Sequence, residues 1–272
     1  MYDLSILIAV CSNDNVSHFK SALNSIYAES EVVKQVVLVA DGPLSEEHDE
    51  VIRRYEELDR NFTCVRLVKN QGLAAALNAG LACCESELVA RMDSDDVCDK
   101  NRFSRQLKFM TSNPHFSVSS GKVTEYCSGL LDIIAEKRLP TEHSKILAYS
   151  KFRNPINHMA CIFRKSDVLA IGGYPEQFRK AQDFALWCAM LKAGYRFANL
   201  DENLVNVRAG AGLFDRRGIQ YFYGEMEVLS FLKRIGHINH IEFAINIFVR
   251  LSARLAPTRI KKTVYRILRD RI

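Results

Sequence analysis

Leu88-Val89-Ala90-Arg91-Met92-Asp93-Ser94-Asp95-Asp96 carries an apolar run straight into three carboxylates within four residues. A short apolar stretch closed by a polar cluster reads as a buried strand that ends in a loop. Acids gathered at such an end suit a divalent metal holding a phosphate. Mg²⁺ and Mn²⁺ take oxygen ligands and use few protein carboxylates when phosphates complete their shell. The same residues also fit a polar turn with a helix N-cap, where Asp is common.

Upstream, strands and helices alternate. Leu4–Val10 is a branched apolar run, and Val16, Phe19, Leu23, Ile26 and Tyr27 then recur at helical spacing. Residues 36–40 form a second strand ending at Asp41-Gly42-Pro43, and a helix follows over Glu46–Leu58. Residues 64–68 read as a third strand. After the turn Asn70-Gln71-Gly72, a helix runs through Leu73, Leu77 and Leu81 to the fourth strand at 87–92. This order predicts an α/β fold with a parallel sheet and right-handed crossovers. Ligands of such sheets bind beyond the carboxyl ends of the strands. Asp41 and Asp93 both fall at such ends, so they are expected in one cleft.

Downstream, residues 101–110 look helical, while 116–150 show no usable period. Arg153-Asn154-Pro155-Ile156-Asn157-His158 is a polar patch entering the apolar Met159-Ala-Cys-Ile-Phe163. Gly172-Gly173-Tyr174-Pro175 marks a turn, and 183–193 form a helix with Phe184, Leu186, Trp187, Met190 and Leu191 inward. Asp183 begins that helix. It either caps the helix or faces the cleft as a general base, and the pattern leaves both open.

A chain of 272 residues, 48% hydrophobic, can bury the core of one large α/β domain with or without an appendage. Its eight cysteines lack a Cys-x-x-Cys pair, which points away from zinc or redox work and toward reduced thiols. No stretch approaches ~18 uninterrupted apolar residues, and Leu4–Val10 lacks a basic leader, so a cytoplasmic location is expected. The formal charge is +5, yet residues 233–272 hold ten Lys or Arg against Glu242 and Asp270. That net +8 leaves residues 1–232 at −3, so the basic character belongs to the tail.

Ser5-Ile-Leu-Ile-Ala-Val10, Val39-Ala-Asp-Gly42, Asn70-Gln-Gly-Leu-Ala-Ala-Ala-Leu-Asn-Ala-Gly80, Arg91-Met-Asp-Ser-Asp-Asp96 and Gln182-Asp-Phe-Ala-Leu-Trp187 resemble, in order, the motifs of family two glycosyltransferases. The resemblance implies a GT-A (Rossmann-like), mostly parallel sheet flanked by helices. It implies a nucleotide-sugar donor, Mn²⁺ or Mg²⁺, and inversion at the anomeric carbon. The expected organisation is a transferase domain over 1–215, with a nucleotide-sugar half at 1–98 and an acceptor half at 99–215. A basic amphipathic helical extension would occupy 216–272. By the resemblance, Asp41 contacts the nucleobase, Asp93 lies near uridine and ribose, and Asp95 binds the metal together with Asp93. Asn70, Gly72 and Arg91 join the nucleotide-sugar site, and Asp183 is the catalytic base. Many members have Glu before the base; this chain has Gln182, which hydrogen-bonds but cannot ionise.

Asn154-Pro155-Ile156-Asn157-His158, Val207-Arg208-Ala209-Gly210 and Arg216-Arg217-Gly218 resemble a narrower group that builds bacterial O-antigen and exopolysaccharide repeat units, the amylovoran-type transferases among them. This implies an inverting hexosyltransferase that moves galactose or glucose from a UDP-sugar to N-acetylglucosamine-diphosphoundecaprenol, with a β1-3 linkage. His158, Asn157, Gln182, Arg208, Arg216 and Arg217 are then candidates for acceptor or diphosphate contacts. The bland alternatives are a buried histidine and solvated arginines.

In the tail, Phe243, Ile247, Phe248 and Leu251 share one helical face, and Ile260, Val264, Tyr265, Ile267 and Leu268 another, among many cations. Such helices lie on anionic membrane surfaces, here the inner face of the bacterial inner membrane, or pack with a solvated basic face. No aromatic-interleaved motif supports nucleic acid as a partner. Two rival functions remain. Asp93-Ser-Asp-Asp-Val97 also fits the D-x-D-x-V pattern of haloacid-dehalogenase-type phosphatases, and a degenerate transferase could serve as a scaffold.

Overall fold

The computed structural model describes residues 3–127, 130, 132–208 and 219–255. The first half alternates as the sequence predicts. Its elements are β1 (Leu4–Val10), α1 (Val16–Tyr27), β2 (Gln35–Ala40), α2 (Glu46–Leu58), β3 (Phe62–Arg66), α3 (Leu73–Cys83) and β4 (Leu88–Asp93). β3 begins two residues earlier than its apolar pattern suggested. Asn15 starts α1 by accepting the His18 N–H at 3.1 Å. The four strands pair in parallel, β3-β2-β1-β4, with Ala9 opposite Asp93.

Period-two alternation explains why these strands are apolar throughout. Leu4, Ile6, Ile8 and Val10 of β1 pack with α1 and α2 on one face, while Leu7 meets α3 on the other. β2 divides likewise, Val36 and Leu38 against Val37 and Val39. Each such side chain, fully buried, contributes about 1.5–3 kcal/mol relative to exposure.

The second half comprises β5 (Val97–Cys98), α4 (Arg102–Ser112), β6 (Val118–Tyr126), β7 (Ile133–Lys137), α5 (His143–Ser150), β8 (Ile162–Arg164), α6 (Lys165–Ala170), α7 (Gln182–Lys192) and β9 (Phe197–Arg208). It extends the sheet as β4-β8-β6-β9-β5, with β7 on β6, and most of these pairs are antiparallel. The parallel part built by consecutive elements therefore ends with β4 at Asp93, and the remainder of the sheet is mixed.

α8 (Ile219–Arg234) and α9 (His240–Leu255) complete the described chain. They are docked on the domain: Val228, Leu229 and Leu232 of α8 close a small core with Phe178, Phe184 and Cys188 around α7. Among the described residues, no helix is long and apolar enough to cross a membrane. The expected boundary at 215/216 and the apolar face over 260–268 lie outside the described residues.

Candidate active site

At the end of β2, Asp41 is 6% exposed and its carboxylate is fully engaged. Oδ1 accepts the Gln71 N–H at 2.7 Å and Oδ2 the Gly72 N–H at 3.0 Å, while the Asn70 side-chain amide donates to the Asp41 carbonyl. Gly72 takes φ +90°, a left-handed conformation that a side chain resists, so that its amide can point at Asp41 as α3 begins. Asp41, Asn70 and Gly72 thus form one braced loop. It adjoins a cleft through Leu73.

That cleft, of about 530 Å³, is lined by Arg91, Asp93, Asn154, His158, Gln182 and Asp183. Arg91 comes from the middle of β4, is 3% exposed, and forms an ion pair with Asp93. The carboxylate oxygens of Asp93, Asp95 and Asp96 lie within 4.8 Å of one another. Asp95 opens to solvent, yet its pKa is raised by partial loss of hydration and by the charges of Asp93 and Asp14. Burial, then Asp93 and Asp95, raise that of Asp96, whose Oδ1 accepts the Arg208 N–H at 3.1 Å. Three crowded oxygen donors with no nitrogen or sulfur suit a hard divalent cation. The residues fit Mn²⁺ or Mg²⁺ on Asp93 and Asp95, with Asp96 bracing the loop. Ser94 ties the cluster to the loop after β1 by donating to Asp14 Oδ2 at 2.9 Å.

Across the cleft, Asp183 lies in the first turn of α7. The preceding Ala181 adopts φ +55°, which turns the chain sharply into the helix. Burial raises the Asp183 pKa, opposed by the Phe184 backbone N–H and by Asn154, whose side-chain amide donates to Oδ2 at 2.5 Å. Asp183 therefore lines the cleft from the first turn of its helix, whose N-cap position is Ala181 with no side-chain cap hydrogen bond. Gln182 is beside it, 8% exposed.

The remaining expected residues separate. His158 reaches the cleft wall, but burial and the Arg91 charge push its pKa well below the usual range. It is therefore neutral, held at 3.0 Å by the Tyr174 hydroxyl. Asn157 is turned into the core, where Nδ2 donates to the Gly121 carbonyl at 2.8 Å; it does not line the cleft. Its side chain is buried against β6, which holds this polar residue away from the cleft. Arg208 lies at the acid cluster, its guanidinium donating to the Asp95 carbonyl. Arg216 and Arg217 lie outside the described residues.

Several lining residues had not been singled out. Asn154 sits within the polar patch quoted above. Arg179 and Lys180 are exposed cations just ahead of Gln182, where charge next to the base motif was an available signal. Arg250 and Glu225 come from α9 and α8. Nothing local in the sequence places these two, because their position depends on the docking of α8 against α7 and of α9 against α8 and Lys151.

Residues 5–169 match the model of glycosyl transferase family 2. The chain is 32% identical to the amylovoran biosynthesis glycosyltransferase AmsE of Erwinia amylovora, over 96% of this chain and 97% of that protein. It is 36% identical to the UDP-Gal:α-D-GlcNAc-diphosphoundecaprenol β-1,3-galactosyltransferase of Escherichia coli, over 96% of this chain and 94% of that protein. In three dimensions it resembles residues 1–349 of S. aureus TarS with a TM-score of 0.63 at 18% identity. That match covers 86% of this chain and 66% of the TarS chain. The same TarS fragment crystallised with UDP-GlcNAc gives a TM-score of 0.65 at 17% identity, covering 86% and 67%. The likeness identifies a GT-A fold with C-terminal helices added.

Proposed function

The chain belongs to glycosyl transferase family 2, and from that premise we propose that it moves galactose or glucose from a UDP-sugar to N-acetylglucosamine-diphosphoundecaprenol. The linkage is β1-3, formed with inversion, in assembly of an O-antigen or related repeat unit. The observation that carries this reading is that Asp183 lines the same cleft as the Arg91–Asp93 pair. A base and a phosphate-side electrostatic site in one cleft suit displacement at a carbon bound between them.

In this reading Asp183 takes the proton from the acceptor hydroxyl as its oxygen attacks the anomeric carbon opposite the departing diphosphate. Burial increases the proton affinity of Asp183, and Asn154 fixes which oxygen is free to act. Asp93 and Asp95 would hold Mn²⁺ or Mg²⁺, which would supply charge neutralisation for the leaving UDP. Arg91 adds a fixed positive charge on that side. The Asp41 loop shapes the nucleobase end. Arg179, Lys180 and Arg250 offer cations for the acceptor's own diphosphate. The E. coli relative, a β-1,3-galactosyltransferase acting on α-D-GlcNAc-diphosphoundecaprenol, supports galactose and the β1-3 linkage.

A dehalogenase-type phosphatase is disfavoured by family membership and by the Arg91–Asp93 ion pair, which occupies the would-be nucleophile. The test is incubation with Mn²⁺, a synthetic N-acetylglucosamine-diphospho-lipid and UDP-Gal, UDP-Glc, UDP-GalNAc or GDP-Man in turn. One added hexose from a UDP-hexose, read as product mass, supports the proposal. No product with any donor points to another acceptor or to a scaffold.

A further inference from the structure

α9 is docked with its polar side inward. Asn246 is 1% exposed, its amide donating to the Lys151 carbonyl at 2.9 Å. Glu242 on the same side accepts from Lys151 Nζ at 2.6 Å, and the Arg250 guanidinium donates to Asn246 Oδ1 and to the Phe152 carbonyl. The opposite side carries Ile241, Ile245, Phe248 and Val249, the i, i+4, i+7, i+8 spacing that normally turns toward a core. Here it faces solvent: Ile241 and Phe248 are each 72% exposed and Val249 55%. Ala244 and Leu251 widen the stripe, and no charged residue interrupts it. A contiguous exposed apolar face of this kind marks an interaction surface.

We propose that this face of α9 is the seat of the protein on an anionic lipid surface. The chain that continues directly from it, residues 256–272, carries Arg259, Lys261, Lys262, Arg266, Arg269 and Arg271 against Asp270. An apolar face adjoining a net +5 segment matches the acyl boundary and the anionic headgroups of one leaflet. The same charge opposes a second copy of the chain docking face to face. The geometry also gives the attachment a direction. Arg250, on the inward side of the same helix, lines the cleft with Arg179 and Lys180. A protein lying on α9 therefore holds those cations near headgroup depth, where a lipid-borne diphosphate would be; this last step rests on the acceptor class proposed above.

The experiment is sedimentation of the full chain with vesicles of phosphatidylglycerol and phosphatidylethanolamine, compared with phosphatidylcholine, without donor or acceptor. The double variant Ile245→Glu, Phe248→Glu should lose roughly tenfold or more of its partition to the anionic vesicles. Its thermal midpoint and its transfer to a soluble short-chain acceptor should be unchanged. Phe248→Trp supplies a second readout, since Trp187, the one native tryptophan, is fully buried. Its emission should shift to the blue and be quenched by brominated lipid only when vesicles are added. Equal vesicle binding by wild type and double variant overturns the proposal. Emission already blue-shifted without lipid and indifferent to vesicles overturns it in favour of cover by the chain itself. A dimer dissolved by the double variant overturns it in favour of a second copy. Vesicle binding and sugar transfer are read separately, so failure of one leaves the other standing.

Discussion

Asn154 donates its side-chain amide to Oδ2 of Asp183 at 2.5 Å, joining the polar loop before β8 to the first turn of α7. This hydrogen bond favours the carboxylate form, whereas burial of Asp183 favours the protonated form, and burial is the larger influence. Asn154→Ala should move the acid limb of the kcat/KM pH profile upward, because the charged form loses a donor. Asp183→Asn should lower kcat by about 10²–10⁴-fold with little change in thermal midpoint. An unshifted acid limb in the first variant, or near-native turnover in the second, would contradict the assignment of Asp183 as base.

Asp95 is the solvent-facing member of the acidic cluster. Asp95→Ala should abolish transfer and weaken Mn²⁺ binding by roughly tenfold or more, with the far-ultraviolet circular dichroism retained. Mn²⁺ titration followed by electron paramagnetic resonance measures the binding directly. Unaltered metal affinity would remove Asp95 from the metal site.

Gly42 holds the loop that Asp41 braces. It sits at φ +93°, and a Cβ there would lie 2.6 Å from the Asn70 backbone nitrogen. Gly42→Ala must therefore displace residues 69–72 and strain the two amide bonds to Asp41. The expected result is a donor KM raised several-fold together with a loss of about 1–3 kcal/mol in chemical denaturation. A normal donor KM in the destabilised variant would separate this loop from donor binding.

His237, between α8 and α9, meets the Ser150 hydroxyl at 2.9 Å, and burial with the Lys151 and Lys192 charges pushes its pKa down to about 4. In the unfolded chain an ordinary histidine titrates near 6.5, so between these values the unfolded state binds the extra proton. Stability therefore falls as pH drops through this window, by about 2 kcal/mol from pH 7 to 5 for this one group. His237→Gln should flatten that part of the pH dependence in denaturant titrations. An identical slope in the variant would show that other groups set it.

The first half of the fold was legible because its strands are buried on both faces. Runs such as Gln35–Ala40 cannot be anything but core, and the acids closing them stand at the sheet's functional edge. β6 was not legible. It reads Val118-Ser-Ser-Gly-Lys-Val-Thr-Glu-Tyr126, and two of its buried hydroxyls find partners far along the chain. Ser120 donates to the Asn157 carbonyl, and Thr124 to Asn203 Oδ1. α9 failed differently. Its spacing shows which residues share a face, but it does not say which face meets the body. The sequence reading grouped Phe243 and Ile247 with Phe248, whereas the two are half-buried and Phe248 is exposed. The deciding residue was Asn246, whose partner is a backbone carbonyl of Lys151. Arg250 was invisible for the same reason, because tertiary docking alone brings α9 to the cleft.

The two walls of the cleft differ in how tightly the fold holds them. Asp41 and Arg91 are buried at or within central strands, so altering either disturbs the sheet as well as the chemistry. Arg179 and Lys180 are exposed ahead of α7, outside the sheet, with the stem of Lys180 lying beside Gly224 of α8. On the reading proposed above, point changes on that side would alter which acceptor is accepted while the donor chemistry stays fixed. A scaffold so divided would let a lineage acquire new glycan structures without rebuilding its enzyme.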